Sequence, residues 1–296
     1  MPEIATDNLG YVECWNEILT PKWVRFRHLL SGNGKIHSDI ADVTFDIQKG
    51  DKVLDVACGF GETALALGRK VGPEGEVLGI DCTDAFMEIA EHELEESGAT
   101  NVRYQHADAM IADLPQDYFD VAYVRFGMMY FQSPVRAMRN IRRALKPGGK
   151  LCMIVWRSLA DNPCWHAAKD VALQVLPPPG EQAVTCGPGP FSMASEDTDR
   201  AMLEAGGFAD VEVFQQIDVD IRLGRDVEEA IDYQLLVGPA GEIIREAGDE
   251  GQRQLPAIRE ALRAAFEPHL RKEGVFLPSS TWAIMAKRGQ TPSQKG

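Results

Sequence analysis

The chain is short of positive charge: 30 lysines and arginines stand against 45 aspartates and glutamates, giving a net charge of −15 over 296 residues. A phosphate backbone or an anionic membrane wants a basic face, so this balance argues against nucleic acid or membrane lipid as the main partner. A local basic pocket for a small acidic molecule is still allowed. No apolar run reaches membrane-spanning length. The opening MPEIATDNLG lacks the charged and apolar blocks of a secretory signal. Six cysteines, at 14, 58, 82, 152, 164 and 186, include no CxxC pair and no His/Cys cluster with zinc spacing. They read as reduced thiols of a cytoplasmic protein, with no metal expected. There is no internal repeat and no low-complexity tract.

What is present is a soluble globular profile, 45% hydrophobic and 25% charged, and enough chain for one large α/β domain with a cap. Residues 11–30 read as amphipathic helix, with Pro21 starting a second one, and IHSDIADVTFDI continues the helical pattern. From KVLDVA onward, strand and helix alternate: helix 61–70, strand 76–81, helix 84–97, strand 101–106, strand 118–124, helix 133–145 and strand 150–156. Lys146-Pro147-Gly148-Gly149 stops the last of these helices. Apolar strands alternating with helices predict a mostly parallel sheet covered on both faces. Beyond 157 come a helix closed by Pro177-Pro178-Pro179, a loop CGPGPF, helix 196–206, strand 209–217, a helical stretch 226–271 and a last strand at 279–288. The expected organisation is an N-terminal helical lid (1–48), a ligand-binding core (49–157), the rest of the core sheet with helical cap insertions at 158–190 and 226–271 (158–288), and a disordered tail (289–296).

The chemistry concentrates in VLDVACGFGETALALG, residues 53–68. Gly59-Phe60-Gly61-Glu62-Thr63-Ala64 fits G-x-G-x-x-G/A, which admits a dinucleotide. Asp55, four residues before Gly59, changes the balance. A carboxylate there repels a pyrophosphate and suits a cationic ligand end, as in S-adenosylmethionine, which has an ammonium, a sulfonium and no phosphate. Asp81 ends the second strand, where a carboxylate can accept from two ribose hydroxyls of either ligand. Asp108, in HADA, can accept from an adenine amino group while the Ala109 N–H donates to a ring nitrogen. Three acids thus close three successive strands at one crevice.

VLDVACGFG, VLGIDCTDAFMEIA, HADA, LPQDYFDVAYVRFGMMYF and ALKPGGKL together resemble the ordered motifs of class I S-adenosylmethionine-dependent methyltransferases, of the ubiquinone/menaquinone-biosynthesis-like group. RFGMMYF, WRxLxxNP, GPGPF and LPSSTWAIMAKR resemble a small-molecule subgroup, and the resemblance runs over about residues 10–288. It implies a Rossmann-like sheet of seven strands with the last antiparallel. It also implies contacts to the methionine end from Asp55, Ala57, Cys58, Gly59 and Gly61, to ribose from Asp81, to adenosine from Cys82 and Met87, to adenine from Asp108 and Ala109, and a floor of Arg125 and Phe126. Many relatives have glycine at the Ala57 position, and Cys58 is not read as a nucleophile. The implied reaction leaves S-adenosylhomocysteine.

The acceptor is expected among Tyr11, Trp15, Trp23, Met129, Tyr130 and Trp165, a set that suggests apolar bulk. His28 and His166 are candidate bases, with His37 a third by position, although methyl transfer needs a base only if the acceptor must lose a proton. The leading reading is a methyltransferase for a small organic acceptor, aromatic or isoprenoid, on oxygen or carbon. An NAD(P)-dependent oxidoreductase and a non-catalytic S-adenosylmethionine-binding protein remain as alternatives. A homodimer is kept open, with no residue pattern behind it.

Overall fold

A computed structural model describes residues 3–178, 180, 186–208 and 210–289. Pro179, most of the stretch between it and Cys186, and the tail QTPSQKG lie outside the described residues, so the expectation for that tail is not addressed. Five strands alternate with helices in the first half. They are β1 (Lys52–Val56), β2 (Glu76–Asp81), β3 (Val102–His106), β4 (Phe119–Arg125) and β5 (Leu145–Trp156). Between them run α4 (Glu62–Val71), α5 (Asp84–Ser97) and α6 (Pro134–Ala144). Ahead of β1 lie α1 (Leu9–Cys14), a π-helical turn Trp15–Leu19, α2 (Thr20–Arg25) and α3 (Arg27–Phe45). The second half holds α7 (Pro163–Leu173), α8 (Glu196–Gly206), β6 (Asp210–Gly224), α9 (Val227–Leu236), α10 (Pro239–Glu246), α11 (Gly248–Phe266), the two-residue β7 (Leu270–Arg271) and β8 (Gly274–Lys287).

The sheet order is β3-β2-β1-β4-β5-β8-β6, with β7 on β8. The first five strands pair in parallel, and β8 runs antiparallel to both β5 and β6. This is the expected mixed sheet. Helix α6 does end where expected, but pairing starts at once: β5 begins at Leu145 and carries Lys-Pro-Gly-Gly in its first turn of register with β8, through Gly148 N–H to Arg288 O and Arg288 N–H to Gly149 O.

Strand periodicity explains why both faces are buried. Leu54 and Val56 join one core with Leu78, Ile80 and Val124, while Val53 joins the other with Val77, Val121 and Tyr123. Asp55 shares the Val53 face yet comes at the strand's C-terminal end, where the core gives way to a crevice. Chain order reverses between β1 and β4, so this crevice is the switch point at which open α/β sheets take ligands.

One expectation is corrected. Cys14 and Cys186 form a disulfide, with Cα atoms 5.2 Å apart, whereas Cys58, Cys82, Cys152 and Cys164 are free. The bond ties the end of α1 to the Gly/Pro loop 186–191. The partners are 172 residues apart, so cysteine spacing gave no hint of it.

Candidate active site

A cavity of about 520 Å³ opens over the C-terminal ends of β1 and β2 and is roofed by α1, α2, α7, α9, α10 and the loop 186–191. At its floor the chain turns sharply. Ala57, Gly59 and Gly61 all have positive φ (55°, 54° and 84°). The turn ends in α4, whose N-terminal N–H groups face the crevice. Alanine in this conformation is strained by roughly 1–2 kcal/mol. Its methyl fits because Gly127 stands opposite: a Cβ there would lie 2.5 Å from that of Ala57. Phe126, also at positive φ (55°), stacks on Trp156 with centroids 4.5 Å apart.

Asp55 is 1% exposed, and its Oδ2 has no hydrogen-bond partner. Burial drives its pKa from 3.8 up to about 8, opposed by Arg125 and reinforced by Asp81 and Glu62. A buried carboxyl with an unpartnered oxygen is costly on its own. A hydrogen-bond donor reaching that oxygen would relieve the cost. Asp81 accepts from Gly59 N–H (3.0 Å) and Thr83 N–H (2.9 Å), and burial raises its pKa while these donors lower it. Arg125 lies against α3, where Gly34 leaves it room: a Cβ at that position would lie 2.9 Å from the guanidinium carbon. Burial pushes the Cys58 and Cys82 thiols well up, with Asp81 adding to both, which keeps them neutral.

Eight of the residues expected at the cofactor line this cavity: Asp55, Ala57, Cys58, Gly59, Asp81, Cys82, Arg125 and Phe126. Gly61, Met87, Asp108 and Ala109 do not. Gly61 caps α4 behind the turn, and Met87 and Ala109 are packed into the core. Asp108 is spoken for by its own chain: Oδ2 accepts from Ala5 N–H and Asn8 Nδ2 (both 3.1 Å), and Oδ1 from Met110 N–H (2.9 Å). The N-terminal segment therefore occupies the carboxylate that the sequence assigns to adenine.

Of the acceptor set, Tyr11, Trp15, Trp23, Tyr130 and Trp165 line the cavity, and Met129 is fully buried beneath it. The rings form two continuous runs. Trp15 meets Trp23 at 5.1 Å and Tyr130 at 4.9 Å. Trp156, Trp165 and Tyr233 follow one another at 5.7 and 5.8 Å. The candidate bases are elsewhere. His28 pairs with Glu229 (3.1 Å) and His166 with Asp170 (2.8 Å), and neither lines the cavity. His37 is buried between Ser279 and Thr281, its pKa lowered to about 4 by burial and by Arg125, so it is neutral and structural. Tyr233, Lys22, Glu242 and Arg245 line the cavity although the sequence did not single them out. They come from α2, α9 and α10, outside the strand–turn units around the glycine turn, and no local pattern marks them.

Fold and site together define the class: a Rossmann-like sheet whose first strand ends in a buried acid over a glycine turn, the architecture of class I methyltransferases. The solved structure of a Bacillus halodurans protein, whose methyltransferase assignment is itself provisional, shares the fold with TM-score 0.57 at 19% identity, covering 86% of this chain and 100% of that one. The [4+2]-cyclase SpnF does so with TM-score 0.52 at 20% identity, covering 87% and 81%. The fold alone therefore does not fix the reaction.

The model of the ubiE/COQ5 methyltransferase family matches residues 32–184, and the chain belongs to that family. It is 30% identical over 177 residues to the ubiquinone/menaquinone biosynthesis C-methyltransferase UbiE of Serratia proteamaculans, covering 57% of this chain and 70% of that protein. It is 36% identical over 104 residues to the demethylmenaquinone methyltransferase of Geobacillus kaustophilus, covering 35% of this chain but only 44% of that one.

Proposed function

We propose that the protein is an S-adenosylmethionine-dependent methyltransferase acting on a small, largely apolar organic acceptor of aromatic or quinone type. The observation that carries this reading is the orphaned, buried Asp55 carboxylate oxygen above the glycine turn. An ammonium fits it, and a diphosphate would add charge to a crevice already lined by Asp55, Asp81 and Glu62. Among the described residues no cluster of histidine, cysteine, aspartate and glutamate could hold a metal ion.

When bound, S-adenosylmethionine would supply an electrophilic methyl: an acceptor lone pair or electron-rich carbon would bond to the methyl carbon in line as its C–S bond breaks, the thioether would take the electron pair, and any proton the acceptor loses would pass to water. The work left to the chain is to position and to exclude water. Asp55, beside the N-terminus of α4, holds the methionine end. Asp81 takes the ribose. Phe126 on Trp156 forms a flat apolar floor, and Trp15, Tyr130, Trp165 and Tyr233 wall the acceptor. The Tyr130 and Tyr233 phenols have pKa values raised by burial, so they donate hydrogen bonds and are poor bases. This division suits an acceptor that is nucleophilic without help from a histidine. We place the reaction in the cytoplasm, where the free buried thiols are at home; the Cys14–Cys186 bond would then form only under oxidation.

The test is calorimetry with S-adenosylmethionine, S-adenosylhomocysteine and NAD, followed by transfer of labelled methyl into a metabolite extract. Micromolar binding of the first two with labelled product supports the reading. Binding of NAD alone refutes it, and binding without label in any product leaves a sensor in place of an enzyme.

A further inference from the structure

The cavity carries its charges in two groups. Asp55, Asp81 and Glu62 line it from β1, β2 and the start of α4, beside Arg125. The helical roof presents the opposite sign: Lys22 from α2, Lys169 from α7 and Arg245 from α10, with Glu242 the one acid among them in the described residues. Three cations against one carboxylate is an unusual wall in a chain of net charge −15. Arg245 is engaged with Glu246 at 2.9 Å. Lys22 and Lys169 form no salt bridge with a described residue. Lys22 is half-buried and close to Arg245; burial and that like charge both lower its pKa, and Glu242 offsets them only in part. A lysine held in this way costs free energy until an anion joins it. Tyr130, Trp165 and Tyr233 line the same cavity, and α10 packs on α7, the helix that carries both Trp165 and Lys169, so the cationic wall adjoins these rings.

We propose that the methyl acceptor is an amphipathic organic anion: its apolar body fills the aromatic chamber, and an oxyanion of carboxylate or phosphate type is held at the roof by Lys22 and Lys169 beside Arg245. This rests on the reading of the cavity as a methyltransferase site. It adds polarity to that site: a cationic cosubstrate lies over the acidic strand ends, an anionic acceptor under the basic roof, and the transferring methyl between them. The opposite arrangement, with both molecules over the acids, would set the acceptor's charge against Asp55 and Asp81.

Binding of 1-naphthoate, 1-naphthyl phosphate and the uncharged 1-naphthamide to the full chain, with and without S-adenosylhomocysteine, tests this. The anions should bind at least about tenfold more tightly than the amide at low salt, the scale of one charge-assisted hydrogen bond. Higher salt should narrow the gap. The order of the two anions tells which oxyanion the wall fits. Lys22→Gln should reduce the preference to below about threefold, and Lys22→Glu should reverse it towards 1-naphthylmethylammonium, with S-adenosylhomocysteine affinity unchanged in both. Lys35→Gln, on the outer face of α3 against Asp39, should change nothing. Equal affinity for amide and anions, no binding of the anions, or a preference that survives Lys22→Gln overturns the proposal. If S-adenosylhomocysteine fails to bind, the methyltransferase reading falls instead, and the comparison made without it still decides the charge of the ligand.

Discussion

With Asp55 as the proposed seat of the cosubstrate's ammonium, cosubstrate affinity should depend on pH, in a direction set by the raised pKa of this carboxyl. In the free protein burial holds its pKa at about 8, so at pH 7 the carboxyl is largely protonated. An ammonium seated against it favours the carboxylate, so binding expels a proton. Below about pH 8 the apparent Kd for S-adenosylhomocysteine should therefore fall roughly tenfold per pH unit and then level off. Calorimetry at pH 7 in buffers of different ionisation enthalpy should register close to one proton released. The same shift acts on stability with the opposite benefit. The folded pKa lies above the unfolded 3.8, so the folded state holds the extra proton and stability is lost as pH rises from about 4 to about 8. The cost at pH 7 is on the order of 4 kcal/mol. Asp55→Asn removes it, and should raise the Tm of the ligand-free protein by several degrees at pH 8 and hardly at all at pH 4. The same variant should bind S-adenosylhomocysteine weakly at every pH. A wild-type Kd flat between pH 6 and 8, or a Tm gain in the variant independent of pH, would refute the assignment of this carboxyl as the cation's seat.

The other expectations are smaller in scope. Gly34→Ala sets a methyl 2.9 Å from the Arg125 guanidinium carbon, so helix propensity should hold or raise the Tm while S-adenosylhomocysteine affinity drops severalfold; unchanged affinity would show that Arg125 is not needed there. Cys14→Ser, or reductant on the wild type, releases a cross-link spanning 172 residues, worth at most about 5 kcal/mol by loop entropy, and should lower the Tm and speed ligand exchange through the loosened roof. Equal melting with and without reductant would mean the bond contributes nothing. His28→Gln and His166→Gln should each leave methyl transfer within about twofold of wild type, since both side chains are spent on acids outside the cavity, and a loss of a hundredfold or more from either would restore it as a base.

The division between what the chain's pattern reveals and what it hides follows from the range over which each feature is determined. Alternation along β1 is local, so Val53, Leu54 and Val56 announce a doubly buried strand, and the odd residue at its end, Asp55, stands out as a charge where the period demands an apolar group. The glycine turn and Asp81 are legible for the same reason: each is a departure from a short-range rule, and the switch between β1 and β4 brings such departures to one crevice. The roof has no such rule. Tyr233 sits on α9 at a position indistinguishable from core, and only in the folded chain, where it packs beside Phe26 and Trp165, does it become part of the cavity wall. Lys22 reads as an ordinary surface lysine until α10 is laid across it. Asp108 shows the same limit from the other side. Its place at the end of β3 is legible, but two of the three donors that claim it, Ala5 and Asn8, arrive from about 100 residues away. The cosubstrate end of this site is thus written into consecutive strand–turn units, whereas the acceptor end is assembled from helices that meet only in the folded chain. Relatives can therefore keep the first while exchanging the second, and a family match over residues 32–184 constrains the donor far more closely than the acceptor.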